Sequence, residues 1–269
     1  MVKIMCASVA AVALMSSTSC MSAPQVATQV KSDLAPSGTL RAAINYGNPV
    51  LTQGTPAGGD LRGVTVDLAK ELGRRLDVPV ELVAYDAAGK VTDAVKTGAW
   101  DIAFLAVDPT RANDVTFTAP YLEIEGTYLV PGDSPIHSIQ DADREGVRIA
   151  VGAKSAYDLY LSRTLAHATL QRAPSAVESV ALFTNEKLEA VAGVRQALVT
   201  SAATIPGARV IDGRFMVIPQ AAAVPKGRDV GAQYLREFIE DVKASGFVAE
   251  SLKRSGVNGA TISAPAATP

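Results

Sequence analysis

Arg111 closes the segment Asp108-Pro109-Thr110-Arg111, directly after the apolar run 102–107, and Phe117-Thr118-Ala119-Pro120-Tyr121 follows it. A guanidinium is permanently charged, planar and forked. Placed at the end of a buried strand, it is suited to holding a carboxylate by two parallel hydrogen bonds. The plainer reading of the same spacing is a surface arginine paired with Asp108 or Asp114. A second anion-binding pattern is Ser155-Ala156-Tyr157-Asp158, a helix-capping sequence after an apolar run. The N–H groups that open such a helix attract anions, and Lys154 beside them would add positive charge if it faced the same space. Its alternative is an ordinary cap with a solvated lysine. Metal chemistry is not indicated, because His137 and His167 stand alone without helical His spacing or Cys partners. There is no nucleophile elbow and no phosphate-binding loop. Neither a catalytic motif nor a cofactor is implied.

The elements that must position these groups lie between two distinctive ends. Lys3, the apolar stretch 4–15 and the small residues 16–20 read as a secretory signal peptide over residues 1–23, with cleavage between 19 and 27. The apolar stretch is too short to span a bilayer. Cys20 offers a lipidation site, although Ser17 stands where leucine is usual. The other cysteine, Cys6, also lies in the signal, so the mature chain holds no internal disulfide. Residues 24–37 read as a polar leader and 256–269, rich in Ala, Ser, Thr and Pro, as a disordered tail. The net charge of -2 offers no basic footprint for nucleic acid.

Strand and helix signals alternate between those ends. Residues 40–44, 80–84 and 100–107 read as strands, and 66–76 and 90–97 as helices, the latter stopped by Gly98. A second set contains strands at 147–151 and 188–192 and a helix from about 155. Val230, Tyr234, Leu235, Phe238, Ile239 and Val242 form one face of a final helix that ends at Gly246. Two β-α-β sets of this kind predict an α/β protein with largely parallel sheets flanked by helices.

The Arg111 segment, with Phe117, Thr118, Pro120 and Tyr121 in place and Asp108 where threonine is usual, resembles the T-x-x-R-x-x-x-x-x-F-[ST]-x-P-Y pattern of family 3 extracellular solute-binding proteins, the polar amino-acid receptors of ABC importers. Gly38-Thr39-Leu40-Arg41, Gly63-Val64-Thr65-Val66-Asp67, Thr97-Gly98-Ala99-Trp100-Asp101, residues 222–227 and Ala244-Ser245-Gly246 resemble further family segments in the same order. The resemblance covers residues 38–255 and implies a two-lobe type II periplasmic-binding fold. Lobe 1 would comprise 38–124 and 219–255, lobe 2 residues 125–218, and two hinge strands would join them. It implies an exported, monomeric receptor in the periplasm that encloses a carboxylate ligand and serves an inner-membrane permease. The ligand site would include Arg111, Ala106, Asp108, Asn45, Tyr46, Lys154, Ser155, Tyr157 and Val194. Leu122, Glu123, Glu125 and Pro219 would lie at the hinges.

Departures from the pattern bear on the ligand. Relatives press an amino acid between aromatic walls, but Gly47 and Ala88 occupy those places, with Tyr46 and Tyr85 adjacent. The carboxylate that would pair with the ligand ammonium falls at Val194 or Gly193. The chain is therefore expected to prefer a modified or more anionic carboxylate to a simple α-amino acid. Two other functions are compatible with the resemblance: a cyclohexadienyl-dehydratase-like enzyme, with Glu189, Glu123 or Asp108 as the acid, and a receptor for a signalling partner.

Overall fold

The computed structural model describes residues 23–266. The expected signal segment, apart from its last residue, lies outside the described residues, as does Cys20. The chain opens with α1 (Ala23–Leu34), β1 (Leu40–Asn45), α2 (Val64–Leu76), β2 (Val80–Tyr85), α3 (Ala88–Ala94) and β3 (Ile102–Ala106). The long β4 (Val115–Pro131) then leads to β5 (Arg148–Gly152), α4 (Ala156–Thr164), β6 (Thr169–Ala173), α5 (Ala176–Asn185), β7 (Ala190–Val194), α6 (Arg195–Ala202) and β8 (Ala208–Val210). The chain returns through β9 (Met216–Pro225), α7 (Asp229–Ala244), α8 (Phe247–Arg254) and β10 (Thr261–Ile262).

The strand order β2-β1-β3-β9-β4-β7-β5-β6 makes one continuous path with a lobe at each end. In the first lobe β1 pairs in parallel with β2 and β3; in the second β5 does so with β6 and β7. Antiparallel β4 and β9 run between the lobes, pairing Leu122 with Gln220, Glu123 with Pro219 and Glu125 with Val217. All five residues of β3, Ile-Ala-Phe-Leu-Ala, are buried, as expected of a strand covered on both faces. On α2, Leu68, Ala69, Leu72 and Leu76 bury one stripe, and on α7 Leu235, Phe238, Ile239 and Val242 do the same.

The segments quoted above meet in space. Asp101, fully buried, accepts Arg41 Nε at 2.9 Å and a second Arg41 nitrogen at 2.8 Å, and also takes Arg228 at 3.1 Å. Asp67 accepts the Ser251 hydroxyl at 2.6 Å and Arg254 at 2.8 Å. These contacts tie β1 to the start of α7 through Asp101, and α2 to α8.

The structure gives the leader a helix and corrects the expected disorder of the tail. The leader at 24–37 contains α1, which packs on α7 and buries Val30 and Leu34. The tail at 256–269 is not disordered over its described part, residues 256–266. Thr261 and Ile262 pair with Glu123 and Leu122 of β4, and Ser263 N–H donates to the Tyr121 carbonyl at 3.2 Å. Lys243 Nζ donates to the Ala264 carbonyl at 2.9 Å, while Gln196 of α6 donates to Gly259 at 2.7 Å. The last stretch therefore straps across the strands that join the lobes.

Candidate functional site

A cavity of about 420 Å³ lies between the lobes, within the ~300–1,000 Å³ range of small-molecule sites. Its walls are the C-terminal ends of parallel strands and the loops beyond them, where open α/β sheets place ligands. The first lobe contributes Asn45 after β1, Ala88 at the start of α3, Phe104 to Ala106 on β3, and Arg111. The second contributes Gly152, Ser155 and Tyr157 around the β5–α4 junction, Ser175 before α5, and Ala192 to Val194 on β7. Gln220 lines it from β9.

Arg111 is only 2% exposed and follows β3 in a single helical turn. One terminal nitrogen donates to the Ala106 carbonyl at 3.0 Å, and the other crosses to the Lys154 carbonyl of the second lobe at 2.9 Å. Nε has no partner among the described residues. Burial pulls the guanidinium down to about 10, against the opposing field of Asp108, so it remains cationic at neutral pH. A buried cation with a spare donor beside a cavity has the chemistry to hold an anion.

Ser155 caps α4 by accepting the Asp158 N–H at 3.1 Å, and the Asp158 carboxylate accepts the Lys154 N–H at 2.7 Å. Tyr157 is buried, which pushes its phenol up to about 12, so it stays a neutral hydrogen-bonding group. Of the residues expected at the site, Asn45, Ala106, Arg111, Ser155, Tyr157 and Val194 come together around the cavity, and Tyr46, Asp108 and Lys154 do not. Gly47 and Ala88 do line it. At Gly47 a Cβ would fall 1.9 Å from the Asp86 carbonyl oxygen, so the close approach of backbone excludes any side chain there. Ser175 and Gln220 were missed. The available signals were a second cap pattern, Ser175-x-x-Glu178, and a lone glutamine in the apolar run 216–225.

Lys154 and Asp108 act across the cleft instead. Lys154 Nζ meets both Asp93 oxygens at 2.7 and 2.8 Å, with both side chains well exposed; the lysine therefore adds no charge to the cavity. Asp108, 4% exposed, takes Arg163 of α4 at 2.8 Å and the Thr110 N–H at 2.8 Å. Burial pushes its carboxyl up, but Arg163 and the Thr110 N–H outweigh burial and hold it below the usual value. A depressed carboxylate contributes stability above its unfolded value near pH ~3.9, and that contribution is lost as pH falls through the lower folded value. The two latches differ in worth. An exposed pair contributes about 0.2–1 kcal/mol, so Lys154→Ala is expected to weaken ligand binding by less than about fivefold. Arg163→Ala leaves a buried carboxylate without its partner and is expected to cost roughly tenfold, the lower end for a charged hydrogen bond. Calorimetric titration of both variants checks the order; a larger loss for Lys154→Ala would reverse it.

The comparisons agree with this architecture. The mutant ArgBP from T. maritima superposes with a TM-score of 0.71 at 20% identity, covering 87% of this chain and 100% of that one. The solute receptor for L-cysteine of Neisseria gonorrhoeae gives a TM-score of 0.73 at 22% identity, covering 87% and 95%. An ancestral amino acid-binding protein described as a precursor of cyclohexadienyl dehydratase gives 0.71 at 22% identity, covering 86% and 99%. At these identities the likeness establishes the type II periplasmic-binding fold. The family model spans residues 40–256, most of the chain, and by that match the chain belongs to the bacterial extracellular solute-binding proteins, family 3.

Proposed function

We propose that the protein is an extracytoplasmic receptor that closes its two lobes on a small carboxylate-bearing solute and delivers it to an ABC permease in the inner membrane. It would reach the periplasm through its N-terminal signal and act as a monomer. The observation that carries the reading is the buried Arg111 guanidinium, with Nε unpartnered, beside an interlobe cavity. Arg111 holds the carboxylate; Asn45, Ser155, Tyr157 and Val194 shape its surroundings; β4 and β9 around Leu122, Glu123, Glu125 and Pro219 turn as the hinge. Structural relatives named for binding arginine and L-cysteine, both carboxylate-bearing, support a small carboxylate solute.

The dehydratase alternative needs a carboxylic acid in the cavity. Glu189 is held by Arg148 at 2.9 Å and Asp108 by Arg163, and neither they nor Glu123 line it; the carboxylate that does, Asp86, is paired with Lys90 at 2.8 Å. A signalling receptor would bind its ligand in the same way. A thermal-shift screen of carboxylic acids, amino acids and opines tests the reading. A ligand at a hundred times its Kd stabilises by about 2.7 kcal/mol, a rise of roughly 5–10 °C for a chain of this size. A melting temperature unmoved across the screen would sink the receptor reading, and turnover of prephenate or arogenate would replace it with the enzyme.

A further inference from the structure

The composition of the cavity wall narrows the solute further, given the receptor reading. Only Arg111 and Asp86 among the lining residues carry charge. Asp86 is already paired with Lys90 at 2.8 Å at the exposed rim. Among the described residues the cavity therefore presents one buried cation with an unpartnered Nε and no free carboxylate. A single negative charge on the ligand would neutralise that cation. A zwitterion would also bring an ammonium with no counter-charge, and burying an unpaired charge is costly.

The remaining wall shows what accompanies the carboxylate. Ala197, Thr200 and Ser201 follow the i, i+3, i+4 spacing of one α6 face and line the cavity together with Thr204 just beyond the helix and Val177 and Val180 of α5, with Val177, Thr200 and Thr204 exposed at its open side. Their hydroxyls are already used: Thr200 donates to the Gln196 carbonyl at 3.1 Å, Ser201 to Ala197 at 3.0 Å and Thr204 to Ser201 at 2.9 Å. Ser179 on α5 likewise donates to Ala176 at 2.7 Å. With the donors turned back onto the helices, these side chains leave mainly carbon and their methyl groups for a ligand.

We propose that the solute is a monocarboxylate with no ammonium beside the carboxylate, its head on Arg111 and an apolar carbon skeleton running between α5 and α6. Matched pairs test this: leucine against isocaproate and phenylalanine against hydrocinnamate, titrated calorimetrically into the full mature protein, with propanoate, butanoate and hexanoate as a length series. The des-amino acid of each pair is expected to bind at least tenfold more tightly. Along the length series affinity is expected to rise about fourfold per methylene. Arg111→Met is expected to lose the acids. Equal or reversed affinities within the pairs, or affinity that does not grow with length, overturn the inference, and binding that still depends on Arg111 would then leave the receptor reading standing. If no acid and no amino acid binds, both fall together.

Discussion

Replacing Arg111 by methionine is expected to raise the Kd for the bound solute by a hundredfold or more while the protein still folds. The guanidinium has two tasks. The side chain lines the cavity with its Nε buried and unpartnered among the described residues, and its terminal nitrogens bridge Ala106 of one lobe to Lys154 of the other. Losing the ligand's hold on the cation removes charge-assisted hydrogen bonds of roughly 1.5–3 kcal/mol each, and two of them already exceed a hundredfold. Methionine keeps most of the side-chain volume and removes a desolvated charge. Among the described residues Arg111 forms no salt bridge, and the nearby Asp108 is paired with Arg163, so the change strands no buried opposite charge and the ligand-free melting temperature is expected to move by only a few degrees. Calorimetry and a melt on the same sample separate the two effects. A variant that binds like the parent would show that the anchor lies elsewhere.

Gly89→Leu is expected to hold the lobes apart. A Cβ at Gly89, in the first turn of α3, would stand 2.9 Å from both the Ala153 carbonyl oxygen and Lys154 Cβ across the cleft. Backbone on the far side cannot rotate away, so relief comes from separating the lobes, which breaks the Arg111–Lys154 and Asp108–Arg163 contacts. Apparent affinity falls with the population of the binding-competent state; if closure drops to about one molecule in a hundred, Kd rises about a hundredfold. Leucine is a better helix former than glycine, so folding stability should not suffer. Small-angle scattering with saturating ligand is the direct reading: the parent compacts and the variant does not. Equal compaction would mean the lobes accommodate the side chain in some other way.

Much of the scaffold was legible because it rests on local periodicity. The stripe of α2, the face of α7 and the continuous apolar run of β3 each report their own burial. Arg111 was legible for a similar reason, since a cation directly after a buried strand has few places to go. The ends were misread because their order comes from elsewhere. Helix α1 is half polar and is anchored through Val30 and Leu34 on α7, whereas β10 joins β4 by backbone hydrogen bonds, which need no particular side chains. Lys154 and Asp108 were placed in the site by position, but their partners, Asp93 and Arg163, stand 61 and 55 residues away. No local pattern reveals such pairs. Gly47 was read for the space it leaves, whereas the Asp86 carbonyl packed against it gives the physical reason for the glycine.

The C-terminal strap makes the end of the chain a natural reporter. Residues 261–262 lie on β4 where it passes between the lobes, and Gly259 is held by Gln196 of the second lobe while Ala264 is held by Lys243 of the first. The short stretch between those two grips is strung from one lobe to the other. Any rotation of the lobes must therefore displace it. A fluorophore in that stretch would translate closure into an optical signal without touching the cavity, whereas a bulky fusion joined close behind it would load the hinge itself.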